Sequence, residues 1–224
     1  MPHSHLRFLV TSDSNYQSRV SSFVVRKPPS STCMPSAYAT CSSVTIGSRA
    51  SEVVARYPSA SFGDPDIAWE RVMSDSNRIC ANRKTLKLLA ATTNPPTTYT
   101  YIFKKTLDGT VSTTEDRDKN GIVDAWNARD VGAFHTLDQT FLLHNFHSSV
   151  VIGAYTPTQN DLAVAERMIH YFAQILKAGN PNTTGAPAWR PYSPTTDEYL
   201  SLDTVTTMAT DFNAKYNCDF WETF

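Results

Sequence analysis

The chain lacks an excess of either charge. Its 20 Lys and Arg against 21 Asp and Glu leave a net charge of -1. No field of one sign is available to draw nucleic acid or an anionic membrane surface. There is no basic run, no acidic tail, no internal repeat and no apolar stretch near the roughly 18 residues a membrane helix needs. The opening, MPHSHLRFLV, holds an apolar stretch of about four residues, short of the roughly 7–15 of a secretory h-region. The expectation is a cytosolic chain or one whose natural start is missing. Cysteine is sparse too, with residues at 33, 41, 80 and 218. None forms a close pair of the C-x2-C kind, which excludes the zinc templates. Free buried thiols and a long-range disulfide both stay open. What is present is an ordinary globular composition, 41% hydrophobic and 18% charged over 224 residues. That is enough chain for one sizeable core.

Residues 1–47 show little periodicity and many Ser, Thr and Pro, so beyond a short strand at Phe8-Leu9-Val10 no element is assigned there. From residue 48 the pattern sharpens. Ala50 to Tyr57 predicts a short helix stopped by Pro58. Asp64-Pro65 opens a second, with Ile67, Ala68, Trp69, Val72 and Met73 at helical spacing. A third covers 85–91. Thr98 to Phe103 predicts a strand, with Tyr99, Tyr101 and Phe103 on one face. Residues 104–130 read as a polar loop. Asp161 to Lys177 is the strongest helix. Its stripe is Leu162, Ala165, Met168, Ile169, Phe172, Ile175 and Leu176, and Gly179 provides the stop. Glu198 to Leu202 alternates as a strand does. Helices mixed with strands predict an α/β fold.

His135 is the first candidate for chemistry. It follows Gly132-Ala133-Phe134, and small residues permit close approach of another group. An imidazole is the side chain suited to acid–base work near neutral pH. Its partner is missing: G-x-S-x-G, the turn that presents a nucleophilic serine, occurs nowhere in these residues. His144 and His147 would share a face on a helix and could hold a metal, although no third ligand stands near them. His170 reads as a histidine at the edge of the core.

Asp116-Arg117-Asp118-Lys119-Asn120-Gly121 follows the D-x-D-x-N-G calcium-loop pattern. Asp116, Asp118, Asn120 and Asp124 would offer side-chain oxygens, and Ile122 its carbonyl. The closing position is Asn127 where a bidentate Glu is usual. The alternative is a polar surface loop whose Asn-Gly is simply a turn. Asn182-Thr183-Thr184 is an N-glycosylation triplet, a pattern common by chance.

Four stretches together resemble the C-terminal part of the type-B carboxylesterase and cholinesterase family. Gly132-Ala133-Phe134-His135 with Asp138 is similar to its catalytic-histidine motif. Ser74 to Cys80 resembles the segment carrying a half-cystine. Met168 to Asn182, followed by Trp189-Arg190-Pro191-Tyr192, resembles its helix, G-x-P-N and W-P-x-Y succession. Cys218-Asp219-Phe220-Trp221 resembles its closing C-x-F-W. The resemblance runs from about residue 48 to the end.

The resemblance implies an α/β-hydrolase fold, here its C-terminal part over 48–224 with an incomplete central sheet, and a poorly defined segment over 1–47. It implies a serine esterase acting on small-molecule carboxylic esters, with His135 as general base and no required cofactor; calcium rests on the pattern at 116–127 alone, a loop that is an insertion relative to the family. It implies a Cys80–Cys218 disulfide and hence a secreted or extracellular location. The family's acid is a Glu at a strand end, and Tyr16 stands in the nearest matching slot. The family's nucleophile elbow and oxyanion-hole glycines are not found in these residues, so the chain alone is expected not to turn over esters. Its sheet would also be left with an uncovered edge, favouring association with another chain. The alternative is a non-catalytic interaction or adhesion module on the same fold, with calcium bound at the 116–127 loop.

Overall fold

A computed structural model describes residues 7–12, 47–62, 65–108, 110–112, 125–127, 132–146 and 155–224. The fold is α/β. Its sheet is built on a strand, Thr98–Phe103, rich in aromatic and β-branched residues, with every position buried. We label it β2. It pairs in parallel with β1, Arg7–Ser12, in register from Arg7 opposite Thr98 to Ser12 opposite Phe103. On its other side lies β5, Tyr199–Leu202, also parallel. The antiparallel strand β6, Thr207–Ala209, closes the order β1-β2-β5-β6. A parallel strand flanked on both sides is covered on both faces, which is why β2 reads as a continuous apolar run.

The two faces of β2 divide the core. Tyr99, Tyr101 and Phe103 lie together on one side, packed with Trp189 and with helices that follow β2. Ile102 points the other way, into a second cluster with Trp69, Tyr57, Tyr199, Tyr216 and Trp221. Trp189 is tied to the strand itself, its indole N–H donating to the Thr100 carbonyl at 3.0 Å.

On the second side, α1 (Ala50–Arg56) precedes a long rod. The second and third predicted helices are continuous: α2, Pro65–Ser74, runs through one π turn, Asp75–Ile79, into α3, Cys80–Ala90. The π turn admits an extra residue per turn, and such bulges frequently mark functional sites. Arg71 anchors it through Asp75 at 3.0 Å. The chain ends in two short helices, α6 (Phe212–Tyr216) and α7 (Cys218–Trp221). A Cys80–Cys218 disulfide joins α7 to the start of α3, with Cα atoms 4.9 Å apart.

On the first side lie α4, Leu137–Leu142, and α5, Gln159–Ala178. The antiparallel hairpin β3–β4, Thr110–Ser112 with Ala125–Asn127, sits between β2 and α4 in the chain. α5 opens on a capping box between Thr158 and Asp161 and stops at Gly179, whose φ is 69°. Its buried stripe is Val164, Ala165, Met168, Tyr171 and Ile175. This differs from the predicted stripe, since Ile169 and Leu176 are exposed. The cause lies at the helix start. Asp161, fully buried, pairs with Lys105 at 2.7 Å and accepts the Tyr155 hydroxyl at 2.6 Å. That polar anchor fixes the rotation of the helix about its axis and turns Leu176 to solvent. Among the described residues no helix is long and apolar enough to cross a membrane.

Candidate active site

The strand register places the carboxyl ends of β1, β2 and β5 along one edge of the sheet. In open α/β sheets that edge is where ligands bind. α4 packs over the C-terminal half of β2, with Phe103 edge-on to Phe141 at 5.0 Å between ring centres. Immediately before α4, the chain must reverse between two buried apolar residues, Phe134 and Leu137. It does so with Gly132 at φ 66° and Thr136 at φ 77°. The Leu137 N–H closes on the Phe134 carbonyl at 3.1 Å. His135 is held in that turn, half-buried.

A β-branched residue in the left-handed region is an outlier, costing about 1–3 kcal/mol, and such strain concentrates at functional sites. Here the strain falls on the residue directly after His135. Its effect is to bury the residues on either side of the turn while leaving the imidazole accessible.

The electrostatics of His135 keep it neutral. Burial lowers its pKa below the usual 6.5, Arg78 on the π turn lowers it further, and Asp138 acts in the opposite direction. An imidazole that resists protonation is available as a base near pH 7. Among the described residues neither ring nitrogen of His135 has a hydrogen-bond partner. Asp138 is 5% exposed, and its Oδ2 accepts the Tyr101 hydroxyl at 3.2 Å. Burial raises the Asp138 pKa, while Tyr101, the N–H groups at the start of α4 and His135 favour the charged form.

The model of the carboxylesterase family matches residues 31–221. This chain belongs to the carboxylesterase family. A search of curated proteins returns no match.

Tyr16, in the slot of the family's acid, follows β1 and lies outside the described residues. So do Asp116, Asp118, Asn120, Ile122 and Asp124 of the calcium-like loop. The end of that loop is visible: Asn127 belongs to β4, opposite Thr110, so positions ten to twelve return along a hairpin. In a calcium helix–loop–helix they would open a helix. Among the described residues no group of three or more His, Cys, Asp or Glu is gathered closely enough to hold a metal.

His147 also lies outside the described residues, whereas His144 is in a turn after α4 at φ 52°. The helical face that was to join these two is absent, because α4 has ended at Leu142. His170 is exposed and bonds to the Thr183 hydroxyl at 2.5 Å.

The Cys80–Cys218 bond is formed as the resemblance implied. A charge cluster surrounds it. Arg83 pairs with Asp197 at 2.6 Å, Asp219 at 2.8 Å and Glu222 at 2.7 Å. Asn182 of the glycosylation triplet is engaged through its whole amide. Its Nδ2 donates to Asn180 Oδ1 and to the Trp189 carbonyl, each at 2.9 Å, and its Oδ1 accepts the Trp189 N–H at 2.6 Å.

Two site residues went unseen in the sequence. Tyr101 reads as a core aromatic, and only the packing of α4 on β2 gives its hydroxyl a carboxylate to bind. Arg78 lies 57 positions from His135, and nothing in its neighbours hints at an interaction with the imidazole.

Proposed function

We propose that this chain supplies the general base of a serine-type carboxylic ester hydrolase, and that His135 is that base. The observation that carries the reading is the turn at 132–137. It holds an accessible imidazole with no hydrogen bond from the described residues to either nitrogen, in an environment that keeps it neutral. In ester hydrolysis His135 would take the proton of a serine hydroxyl as it attacks the ester carbonyl. It would then return that proton to the departing alcohol, and the acyl-enzyme would be released by water activated at the same nitrogen. The serine and the oxyanion-hole donors must come from residues outside these 224, in the same polypeptide or in an associated one. The disulfide favours a secreted protein, because such bonds persist in oxidising compartments.

The test uses a chromogenic short-chain carboxylic ester. The 224-residue chain alone should show no His135-dependent turnover. Joined to a family segment carrying G-x-S-x-G, it should gain turnover that His135→Gln abolishes while the melting transition is preserved. Turnover that survives His135→Gln overturns the reading.

A second reading is favoured by Tyr16, which cannot act as an anionic orienter near pH 7. In it the chain is a non-catalytic interaction module on the esterase fold, with calcium at Asp116, Asp118, Asn120, Asp124 and the Ile122 carbonyl. Calcium added and then chelated should change Trp126 fluorescence, and an unchanged signal removes calcium from this reading.

A further inference from the structure

The apolar stripe that the sequence places on α5 is only half used by the fold. The helix buries Val164, Ala165, Met168, Tyr171 and Ile175, a rotation set by the polar anchor at Asp161. Leu162, Ile169 and Leu176 are left along its flank. Leu162 is partly covered by the cluster that holds Trp189, whereas Ile169 is 37% exposed and Leu176 is 83% exposed. These three stand seven residues apart, with Ala173 between the last two. A heptad row with apolar residues in steps of four and three is the seam along which two helices interlock side chains. A single exposed leucine is ordinary. A heptad-spaced row on the longest helix is a surface suited to another helix.

Charge selects the occupant. The row is bordered by Glu166 towards one end and Lys177 at the other, both exposed. Among the described residues neither has an ion-pair partner. A helix running the opposite way, with a lysine to face Glu166 and a glutamate to face Lys177, satisfies both. A second copy of α5 is such a helix. We propose that α5 is a homodimerisation helix, pairing antiparallel with its own copy along Leu162, Ile169, Ala173 and Leu176. With the two-fold axis between Phe172 and Ala173, Ile169 of one copy meets Leu176 of the other. Glu166 then lies within reach of the partner's Lys177. Ala173, the smallest side chain in the row, sits where the two backbones come closest. Such a contact is isologous and closes on itself. A parallel pair would set Glu166 beside Glu166 and Lys177 beside Lys177, so like charges reject it. The pairing does not depend on the role of His135.

The test is sedimentation velocity of the full chain over a concentration series. The unmodified protein should pass from monomer to dimer as concentration rises. Leu176→Lys should weaken the dimer about tenfold or more, with the melting transition kept because the side chain it replaces is exposed. Glu166→Lys should weaken it as well, and combining Glu166→Lys with Lys177→Glu should restore it. Ala173→Cys should give a disulfide-linked dimer on mild oxidation, and Ala163→Cys, exposed on α5 but outside the row, should not. A chain that stays monomeric across the series overturns the proposal. So does association that survives Leu176→Lys undiminished, in a dimer or a larger assembly, and so does a double charge exchange that binds as weakly as the single one.

Discussion

At the residue scale, single side chains here act through what burial leaves unsatisfied. His135 is the clearest case. Its folded pKa lies below that of the unfolded chain, so below pH 6.5 the unfolded state binds more protons than the folded one. Stability linked to this residue is therefore complete above pH 6.5 and is lost as pH falls through the lower folded value. Thermal melts across that window should show a shallower decline for His135→Gln than for the unmodified chain, and parallel declines would contradict the assignment.

Asn182 gives a second prediction at this scale. A glycan on Nδ2 leaves one N–H where two hydrogen bonds now exist. The folded loop therefore disfavours occupancy, and intact-mass analysis of secreted protein should find Asn182 unmodified. Asn182→Ala should destabilise by about 1–3 kcal/mol, the cost of leaving the buried Trp189 backbone groups without partners, measured by urea unfolding. The triplet reads as a modification site in sequence because nothing local shows that its amide is already spoken for by Trp189.

At the element scale, the long helix α5 shows how far periodicity carries. Its existence and its stop at Gly179 are written in sequence, because periodicity and backbone freedom are local, whereas its start was read at Asp161 and the cap at Thr158 came from the structure. Its rotation is not. Lys105, Asp161 and Tyr155 come from three separate stretches, and their mutual satisfaction decides that Tyr171 faces inward and Leu176 outward. Lys105→Met should leave Asp161 buried and uncompensated, lowering stability by about 3–5 kcal/mol in denaturant melts. A loss below about 1 kcal/mol, the range of surface pairs, would show the pair to be solvent-screened. The rod formed by α2, the π turn and α3 makes the same point. The sequence offers two helices with a polar gap, and the gap becomes helical because Asp75 turns inward to Arg71 and to the Tyr57 hydroxyl, 3.0 Å away.

At the scale of the whole molecule, the Cys80–Cys218 bond closes a loop spanning 138 positions. In the chain-entropy description such a closure stabilises by about 5 kcal/mol. Arg83 and its three carboxylates lie beside it, and the C-terminal aromatics Phe220 and Trp221 pack into the second cluster. Reduction, or Cys80→Ser with Cys218→Ser, should release α7 first. The expected readout is a large drop in urea midpoint together with early loss of hydrogen-exchange protection over 212–224. Retention of protection there would show that the charge cluster alone holds the terminus.

By itself the sequence determined the α/β class, the central strand, the long helix with its stop at Gly179, and the small residues before His135. Each rests on interactions within a few residues, or on an apolar pattern that only one environment satisfies. The carboxylesterase resemblance, carried by the order and spacing of four motifs, also pointed to the cysteine pair. Only the tertiary structure decided which polar groups meet: Tyr101 with Asp138, Lys105 with Asp161, Asn182 with Trp189. Such pairings are set by how α4 and α5 settle on β2. A buried charge or amide must find a partner wherever the packing places one, and local sequence does not encode where that is.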